Sequence, residues 1–340
     1  MSKILLVVDC IIDARFINAI EKRLSIEVDT CIVDSSVDVG KRIVLRHVSY
    51  FIASVKAFRK RKKYSYIIFW QQFIGFYYGL ISRFFSNSAF PVSVTFPLIY
   101  KQRKGMWGDV YKRIYASMLK PFSLKHFICF SSSERDFYSK MFGLERRIAY
   151  IPCGPSGIPE ETGGAQIVKG HAPYIFSGGT SNRDYKTLIS AFKENNEKLK
   201  ILCNVKDVEG IEVPANVEIL HDIHGEAFID YMRNAYAVVI PIDNDMISSG
   251  QLVLLQAMSL KKPIIITRSA GVTDYADENC VLFVESHSVF GIRDAVSLLL
   301  NDRDVANQLA QNAHKRYKDN FTIEQFGERI ADLLKGEFCL

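Results

Sequence analysis

The chain has 340 residues, about twice the size of a typical domain, so two domains are expected. With 48% hydrophobic and 24% charged residues it has the composition of a globular protein, which excludes a disordered chain and a collagen-like repeat. Seven cysteines are scattered without a C-x-x-C pair. We therefore expect reduced thiols and a cytoplasmic protein, and not a disulfide scaffold.

Charge is divided unequally along the sequence. Residues 1–160 contain 25 Lys and Arg against 12 Asp and Glu, whereas residues 161–340 contain 18 against 25. A strongly basic half of a chain, such as residues 1–160, typically faces nucleic acid, an anionic membrane surface or a phosphorylated substrate. Nucleic acid is the least favoured of these, because no zinc-ligand spacing, helix-turn-helix pattern or aromatic RNA-binding signature accompanies the charge.

Short apolar strands alternate with amphipathic helices in the first part of the chain. The strands are predicted at 3–8, 28–33, 66–70, 91–96, 126–130 and 148–152. The helices are predicted at 14–24, 73–85, 107–120 and 133–142. This alternation is typical of a parallel sheet with helices on both faces.

A linker is predicted at residues 152–173, which contain four prolines and five glycines. Beyond it the strands are predicted at 174–179, 200–205, 217–220, 237–242, 263–267 and 281–284. The helices are predicted at 184–194, 225–234, 250–260, 288–300 and 303–335. The pattern predicts an α/β protein of two doubly wound, Rossmann-like domains, at 1–160 and 161–320, facing a central cleft that binds the ligand. The closing segment, 321–340, is expected to pack back on the first domain.

A stretch without charge, residues 64–82, reaches the length of a membrane span. Gln71 and Gln72 in its middle favour a strand followed by a helix instead. Residues 43–63 combine apolar side chains with a basic run formed by Lys60, Arg61, Lys62 and Lys63. With the aromatic residues of 73–85, this run predicts contact with anionic lipid headgroups. The alternative is that the aromatic residues are core and the basic run is a solvated helix end.

Two segments after the linker carry the predicted chemistry. In 237–275 a buried strand is followed by Ser248, Ser249 and Gly250, which open a helix. Ser249 is a good N-cap, Gly250 allows a ligand to approach the backbone, and the helix N-terminus favours an anion. The alternative is an ordinary capped helix.

The second segment, 174–192, has Gly178 and Gly179 after a strand and Arg183 and Lys186 before a helix. Glycine N–H groups and a guanidinium can together hold a diphosphate. Alone this pattern is weak evidence for a diphosphate site, because many tight turns contain two glycines. In addition, Arg183 can equally pair with Asp184.

In this order the two segments resemble the family-4 (group 1) glycosyltransferases with the GT-B fold. The matching stretches are Gly178-Gly179, Arg183, 188–192, 237–242, 248–258, 262–265 and 270–272, together with the 131–154 junction. The resemblance implies a metal-independent hexosyltransferase without a cofactor that retains the configuration at the anomeric carbon. It places the family's two donor-binding glutamates on Ser248 and Gln256, neither of which is acidic.

The resemblance also implies roles for single residues. Arg183, Ser248 and Gln251 are the candidates for catalysis. The donor-binding candidates are Gly178, Gly179, Arg183, Lys186, Asp222, Ile223, Ser249, Gly250 and Gln256. Gln256 can pair with a ribose diol through its amide, or it can be a buried helix amide satisfied by backbone. Lys101 and Arg103 join the basic run at 60–63 as candidates for acceptor or membrane contact.

We therefore expect a cytoplasmic enzyme, peripheral at the inner face of the cell membrane, that moves a sugar from a nucleotide-diphosphate sugar to a lipid-linked or glycan acceptor in cell-surface polysaccharide biosynthesis. Two alternatives stay open. A nucleotide-sugar epimerase shares the architecture but needs acidic groups that the motifs lack. A degenerate protein that has lost both glutamates would act as a non-enzymatic partner in a polysaccharide-synthesis complex.

Overall fold

A computed structural model of the protein describes residues 3–33, 43–85, 89–158, 173–194 and 196–336. The chain divides into two compact units, the first formed by Met1–Ile151 with Ile323–Leu340 and the second by Pro152–Thr322. Most of the predicted linker, residues 159–172, and the predicted boundary at residue 160 lie outside the described residues. The cysteines that the structure describes are free thiols.

A sheet of six parallel strands is the centre of the first unit. They are β1 (Ile4–Val8), β2 (Val28–Ile32), β3 (Tyr66–Phe69), β4 (Val92–Thr95), β5 (His126–Cys129) and β6 (Ile148–Tyr150), in the order β2-β1-β3-β4-β5-β6. Leu5 and Val7 face one apolar cluster, whereas Ile4 and Leu6 face another on the opposite side. Because both faces are covered by helices, nearly every strand position is apolar.

The helices of this unit are unequally divided between the two faces. They are α1 (Ala14–Leu24), α2 (Ile43–Lys60), α3 (Gln72–Ser82), α4 (Gly105–Leu119) and α5 (Ser132–Phe142). Helices α2 to α5 pack on the face of Leu5 and Val7 and contribute Tyr50, Ile74, Tyr115 and Tyr138 to its core, while α1 packs on the other face.

The uncharged stretch at 64–82 forms strand β3 and helix α3. Among the residues that the structure describes, no helix is both long and apolar enough to span a membrane. Phe76 and Tyr78 of α3 are fully buried. For these two side chains the prediction of a lipid-facing surface is wrong, because α3 packs them into the core.

The second unit repeats the architecture of the first. Its strands are β7 (Ile175–Gly178), β8 (Leu199–Leu202), β9 (Val217–Leu220), β10 (Ala237–Ile240), β11 (Ile264–Thr267) and β12 (Leu282–Val284), all parallel in the order β12-β11-β10-β7-β8-β9. Its helices are α6 (Tyr185–Phe192), α7 (Glu226–Asn234), α8 (Gln251–Ser259), α9 (Val289–Asn301) and α10 (Arg303–Asn320). The prediction of two doubly wound α/β sheets is confirmed.

The segment predicted as one helix at 303–335 forms two helices. Helix α10 ends at Asn320, and α11 (Ile323–Lys335) belongs to the first unit. There α11 packs on α1, with the rings of Phe16 and Phe326 centred 5.5 Å apart and Asp332 paired with Arg23. Helix α11 thereby covers the second face of the first sheet.

Burial makes the stability of the first unit sensitive to acid at His126. This side chain lies at the start of β5, and burial together with the nearby charges of Lys125 and Arg147 lowers its pKa to about 4. An unfolded histidine has a pKa near 6.5, so between these two pH values the unfolded chain binds a proton that the folded chain does not.

We predict that lowering the pH from about 7 to about 5 costs the wild-type protein about 2 kcal/mol of unfolding free energy through this residue. The variant His126→Leu keeps a side chain of similar volume without a titratable group, so its loss over the same interval should be smaller by that amount. Urea unfolding of both proteins at the two pH values measures the difference. Equal losses would contradict the assignment to His126.

Candidate functional site

The topology of the second sheet creates a crevice at one edge. Strands β7 and β10 are neighbours, but the chain continues from β7 to β8 on one side and from β10 to β11 on the other. The loops that leave the carboxyl ends of β7 and β10 therefore diverge, which is where doubly wound sheets bind ligands. The two segments singled out from the sequence are these two loops.

A cavity of about 460 Å³ lies at this edge. Its lining comes from four stretches of chain: residues 179–183 after β7, residues 202–204 after β8, residues 220–228 after β9, and residues 248–256 at the start of α8. The predicted site residues that line it are Gly179, Arg183, Asp222, Ile223, Ser248, Ser249, Gly250, Gln251 and Gln256. The fold thus brings together residues that are far apart in the sequence.

Arg183 lies folded over the glycine turn that follows β7. Its Nη1 donates to the carbonyl of Ser181 at 2.7 Å, and a Cβ added at Gly179 would stand 2.8 Å from its Nη2. Gly179 also has a φ of +121°, which side chains rarely adopt, so both backbone and packing require glycine here. Burial lowers the pKa of Arg183, yet a guanidinium stays protonated, so the cavity keeps a fixed positive charge.

The N-terminus of α8 faces the cavity without a side-chain cap. Gly250 is the N-cap residue, with a φ of +90°, and not Ser249 as the sequence predicts. The first-turn N–H groups that a serine would satisfy are therefore available, at the positive end of the helix dipole. An oxyanion is the ligand that such a helix end favours.

Asn182 joins the two loops. Its Nδ2 donates to the carbonyl of Asn244 at 2.8 Å and to Oγ of Ser249 at 2.9 Å, while its Oδ1 accepts from the N–H of Asn244 at 2.9 Å. We call these three hydrogen bonds the Asn182 clamp. Within the clamp, Ser249 is a hydrogen-bond acceptor and not a helix cap. Because Asn182 directly precedes Arg183, the clamp sets the position of the guanidinium relative to the start of α8.

Ser248 and Gln251 form a hydrogen-bonded pair beside the helix N-terminus. The pair lies against Gly271, where an added Cβ would come 2.7 Å from Oγ of Ser248 and 2.8 Å from Nε2 of Gln251. A larger residue than Gly271 would collide with both side chains of this pair. The pair is neutral and polar, and it includes Ser248, where the family resemblance places a glutamate. Gln256, one helical turn or more further along α8, also lines the cavity and is half-buried.

Apolar side chains line the other end of the cavity. Phe228 of α7 stands over Gly178, where a Cβ would come within 2.6 Å of its ring, and Leu202 and Ile223 lie on the same lining. Asp222 follows β9 with a φ of +58° and is the only carboxylate among the described residues that line this cavity. The cavity thus has an apolar end and a cationic, N–H-rich end.

Two predicted donor residues do not line the cavity. Gly178 is buried in β7 beneath Phe228, so its contribution is to let that ring approach the sheet. Lys186 lies exposed in the first turn of α6, outside the lining. Its role in holding the diphosphate stays a prediction.

The predicted acceptor and membrane residues belong to the first unit. Lys60, Lys62, Lys63, Lys101 and Arg103 are exposed. Arg61, in contrast, is buried: its guanidinium stacks over the ring of Phe58 at 4.0 Å and donates to the Phe58 carbonyl. The prediction of a membrane contact is wrong for Arg61, because the cation is used inside the fold.

One group of described side chains has the geometry to hold a metal ion. Ligand atoms of Asp184, Asp243 and His287 lie within 4.8 Å of one another. Asp184 already accepts bonds from the N–H of Thr187 as the cap of α6 and from Nδ1 of His287 at 2.6 Å. A metal ion would have to displace the histidine bond. Asp243 begins an Asp243-Asn244-Asp245 stretch that the sequence analysis passed over.

The comparison with protein families finds a match within the second unit. Residues 174–316 match the family model described as Glycosyl transferases group 1. This match confirms the resemblance seen in the sequence for that part of the chain. No curated protein sequence matches the chain significantly.

Solved structures resemble the chain over nearly its whole length. The Anabaena Alr3699/HepE structure in complex with UDP and glucose has a TM-score of 0.71 at 13% identity, over 98% of this chain and 100% of that one. Sucrose-phosphate synthase from Thermosynechococcus elongatus has a TM-score of 0.70 at 14% identity, over 98% of each chain. A putative UDP-N-acetylglucosamine 2-epimerase from Listeria monocytogenes has a TM-score of 0.62 at 10% identity, over 99% and 97%. At such identities the likeness establishes the fold alone, which is GT-B.

The clamp at Asn182 yields a prediction about anion binding. Asn182 has a φ of +55°, so Asn182→Gly removes the three hydrogen bonds without straining the backbone. We expect it to weaken binding of a nucleoside diphosphate by about tenfold, because Arg183 and the start of α8 lose their fixed spacing. Calorimetric titration of the variant and the wild type measures this.

The variant Ser249→Ala is the matched control for the clamp. It removes only the bond from Nδ2 of Asn182 to Oγ of Ser249 and keeps the two bonds with Asn244, so its affinity should fall between those of the wild type and Asn182→Gly. Wild-type affinity in Asn182→Gly would show that the two loops keep their positions without the clamp.

Proposed function

We propose that the protein transfers a sugar from a nucleotide-diphosphate sugar to a lipid-linked or glycan acceptor. The observation that carries this proposal is the convergence of the Arg183 guanidinium and the uncapped N-terminus of α8 on one cavity at the switch point of the second sheet. A fixed cation and free N–H groups together favour a doubly charged ligand such as a diphosphate over a neutral one.

The two ends of the cavity fit the two ends of such a donor. The apolar end, with Leu202, Ile223 and Phe228, suits a nucleobase, and Gln256 can accept from and donate to the hydroxyls of a ribose. The Anabaena Alr3699/HepE structures with UDP and with UDP-glucose support this class of donor, because they share the fold.

In the proposed reaction the bond between the anomeric carbon and the terminal phosphate oxygen breaks. An acceptor hydroxyl oxygen forms the new bond to that carbon and gives up its proton to the departing phosphate oxygen, and a nucleoside diphosphate leaves. Arg183 and the N–H groups of α8 stabilise the negative charge that develops on the leaving oxygen. Because they are fixed before the reaction, little reorganisation is needed in the transition state.

Ser248 and Gln251 occupy the side of the cavity where the family resemblance places a sugar-binding glutamate. Their pair offers hydroxyl and amide groups, which can hold sugar hydroxyls without adding negative charge beside the diphosphate. We propose that transfer retains the anomeric configuration and needs no metal, as the family resemblance implies. The sugar transferred is a hexose in this proposal.

The acceptor and the setting are proposed from the charge of the first unit. Its excess of basic side chains, Lys101 and Arg103 among them, suits a phosphate-bearing acceptor or an anionic membrane surface. We therefore place the protein at the inner face of the cell membrane, in the biosynthesis of cell-surface polysaccharide.

A second candidate function follows from the neutral residues at the glutamate positions. Ser248 and Gln256 stand where the family resemblance expects acids, so a partner protein that binds donor without turnover is the alternative. An epimerase is less well supported, although an epimerase shares the fold. Proton abstraction from a sugar needs acid and base groups near it, and the lining offers only Asp222, at the apolar end.

The test measures nucleoside diphosphate release with a panel of UDP-, GDP- and ADP-sugars and a membrane extract as the source of acceptor, with and without EDTA. We expect turnover with one nucleotide class, and the same rate in EDTA. No nucleoside diphosphate release from any donor, even with native acceptor, would favour the partner function. Loss of activity in EDTA would point to the Asp184–Asp243–His287 group.

Arg183→Ala should lower affinity for the nucleoside diphosphate by about 10- to 100-fold, since a charge-assisted bond is lost, and leave affinity for the nucleoside nearly unchanged. Lys186→Ala is the matched control, because it removes a nearby cation that lies outside the cavity. An equal loss for nucleoside and diphosphate in Arg183→Ala would refute the role of Arg183.

A further inference from the structure

An uninterrupted stretch of the sequence lacks acidic residues. No Asp or Glu occurs from residue 39 to residue 108, although these residues include 13 Lys and Arg. Helices α2 and α3 and the start of α4 belong to this stretch, and all three pack on the same face of the first sheet. The outer surface of this helical layer therefore carries positive charge with almost no compensating negative charge.

Apolar side chains are exposed on the outward faces of two of these helices. On α4, Met106 and Trp107 are 74% and 77% exposed, and Val110 and Ile114 continue the same face at helical spacing. On α2, the side chains that are exposed in the same way are Val44, Leu45, Val48, Phe51 and Ile52. We call these nine residues the α2–α4 surface.

The parallel topology places both groups at one edge of the sheet. Helix α2 follows β2 and precedes β3, and α4 follows β4 and precedes β5, so both helices begin at the carboxyl ends of the strands. The exposed apolar residues lie mostly in the first halves of the helices, and Lys101, Arg103 and Lys104 directly precede α4. Lys60 is the last residue of α2, and Lys62 and Lys63 follow it closely. All three therefore lie at the opposite edge, where the strands begin.

We propose that the α2–α4 surface docks on an anionic lipid bilayer, with the apolar side chains entering the headgroup region and Lys101, Arg103 and Lys104 contacting lipid phosphates. This deepens the membrane setting of the proposed function by assigning its surface. Of the acceptor or membrane candidates named from the sequence, this assignment keeps Lys101 and Arg103 and leaves out the basic run at 60–63.

The chemistry of the surface favours lipid over other occupants. Aliphatic side chains and a tryptophan that directly follow three exposed cations along the chain match the boundary between acyl chains and anionic headgroups. A nucleic acid would be contacted by cations and stacking rings, and the exposed Met106, Val110 and Ile114 add nothing to such contacts. Docking here brings the membrane to the carboxyl edge of the first sheet, the edge at which sheets of this kind bind ligands.

The test is co-sedimentation with vesicles of phosphatidylcholine alone and of phosphatidylcholine mixed with phosphatidylglycerol. We expect wild-type protein to bind the mixed vesicles and to bind neutral vesicles at least tenfold more weakly. Met106→Ser with Trp107→Ser, both at exposed positions, should lower binding to mixed vesicles at least tenfold. Lys101→Gln with Arg103→Gln and Lys104→Gln should do the same and reduce the dependence on salt.

The matched control is Lys60→Gln with Lys62→Gln and Lys63→Gln, which removes the same charge at the opposite edge. Near-wild-type binding in this control supports the assignment, whereas a loss as large as that of the Lys101 variant overturns it. Binding unchanged by the Met106 and Trp107 substitutions also overturns it, as does binding to RNA in preference to mixed vesicles. Nucleoside diphosphate affinity, measured without vesicles, reports separately on the proposed transferase site.

Discussion

The attraction between a diphosphate and two fixed donors, the Arg183 guanidinium and the open N-terminus of α8, is the interaction on which the account depends. The clamp at Asn182 ties the loop after β7, which carries Arg183, to the loop after β10, which leads to α8. Three glycines complete the arrangement: Gly179 makes room for the guanidinium, Gly250 leaves the helix uncapped, and Gly271 admits the Ser248–Gln251 pair. These glycines thus make space for the guanidinium and for the groups at the positive end of α8.

Most of the fold could be predicted from the sequence, because buried parallel strands are continuous apolar runs. The stretches at 3–8 and 237–242 are examples, and both form central strands. The break between α10 and α11 is not visible in the apolar pattern, since Phe321 and Ile323 continue the helical spacing across it, although the closing segment 321–340 was expected to pack on the first domain. The packing of α11 on α1 belongs to the first unit.

The candidate site was predicted in outline, with its glycine turn, Arg183 and the start of α8. Its internal contacts were not. Ser249 is a favourable N-cap by type, but Asn182 engages its hydroxyl across 67 positions of sequence, and no local pattern reports such a bond. The same holds for Arg61, whose aromatic neighbours Phe58 and Phe90 surround it only once the chain is folded. Residue type alone does not distinguish such a buried cation from the exposed Lys60 and Lys62.

Backbone amide chemical shifts of ¹⁵N-labelled protein test the central claim most directly. On titration with a nucleoside diphosphate, the amides of Gly179, Gln251 and Leu252 should shift together at one affinity, and titration with the nucleoside should leave them nearly unmoved. Shifts that spare these three amides while the diphosphate binds elsewhere would contradict the account, because the positive end of α8 and the loop that carries Arg183 would then have no anion between them.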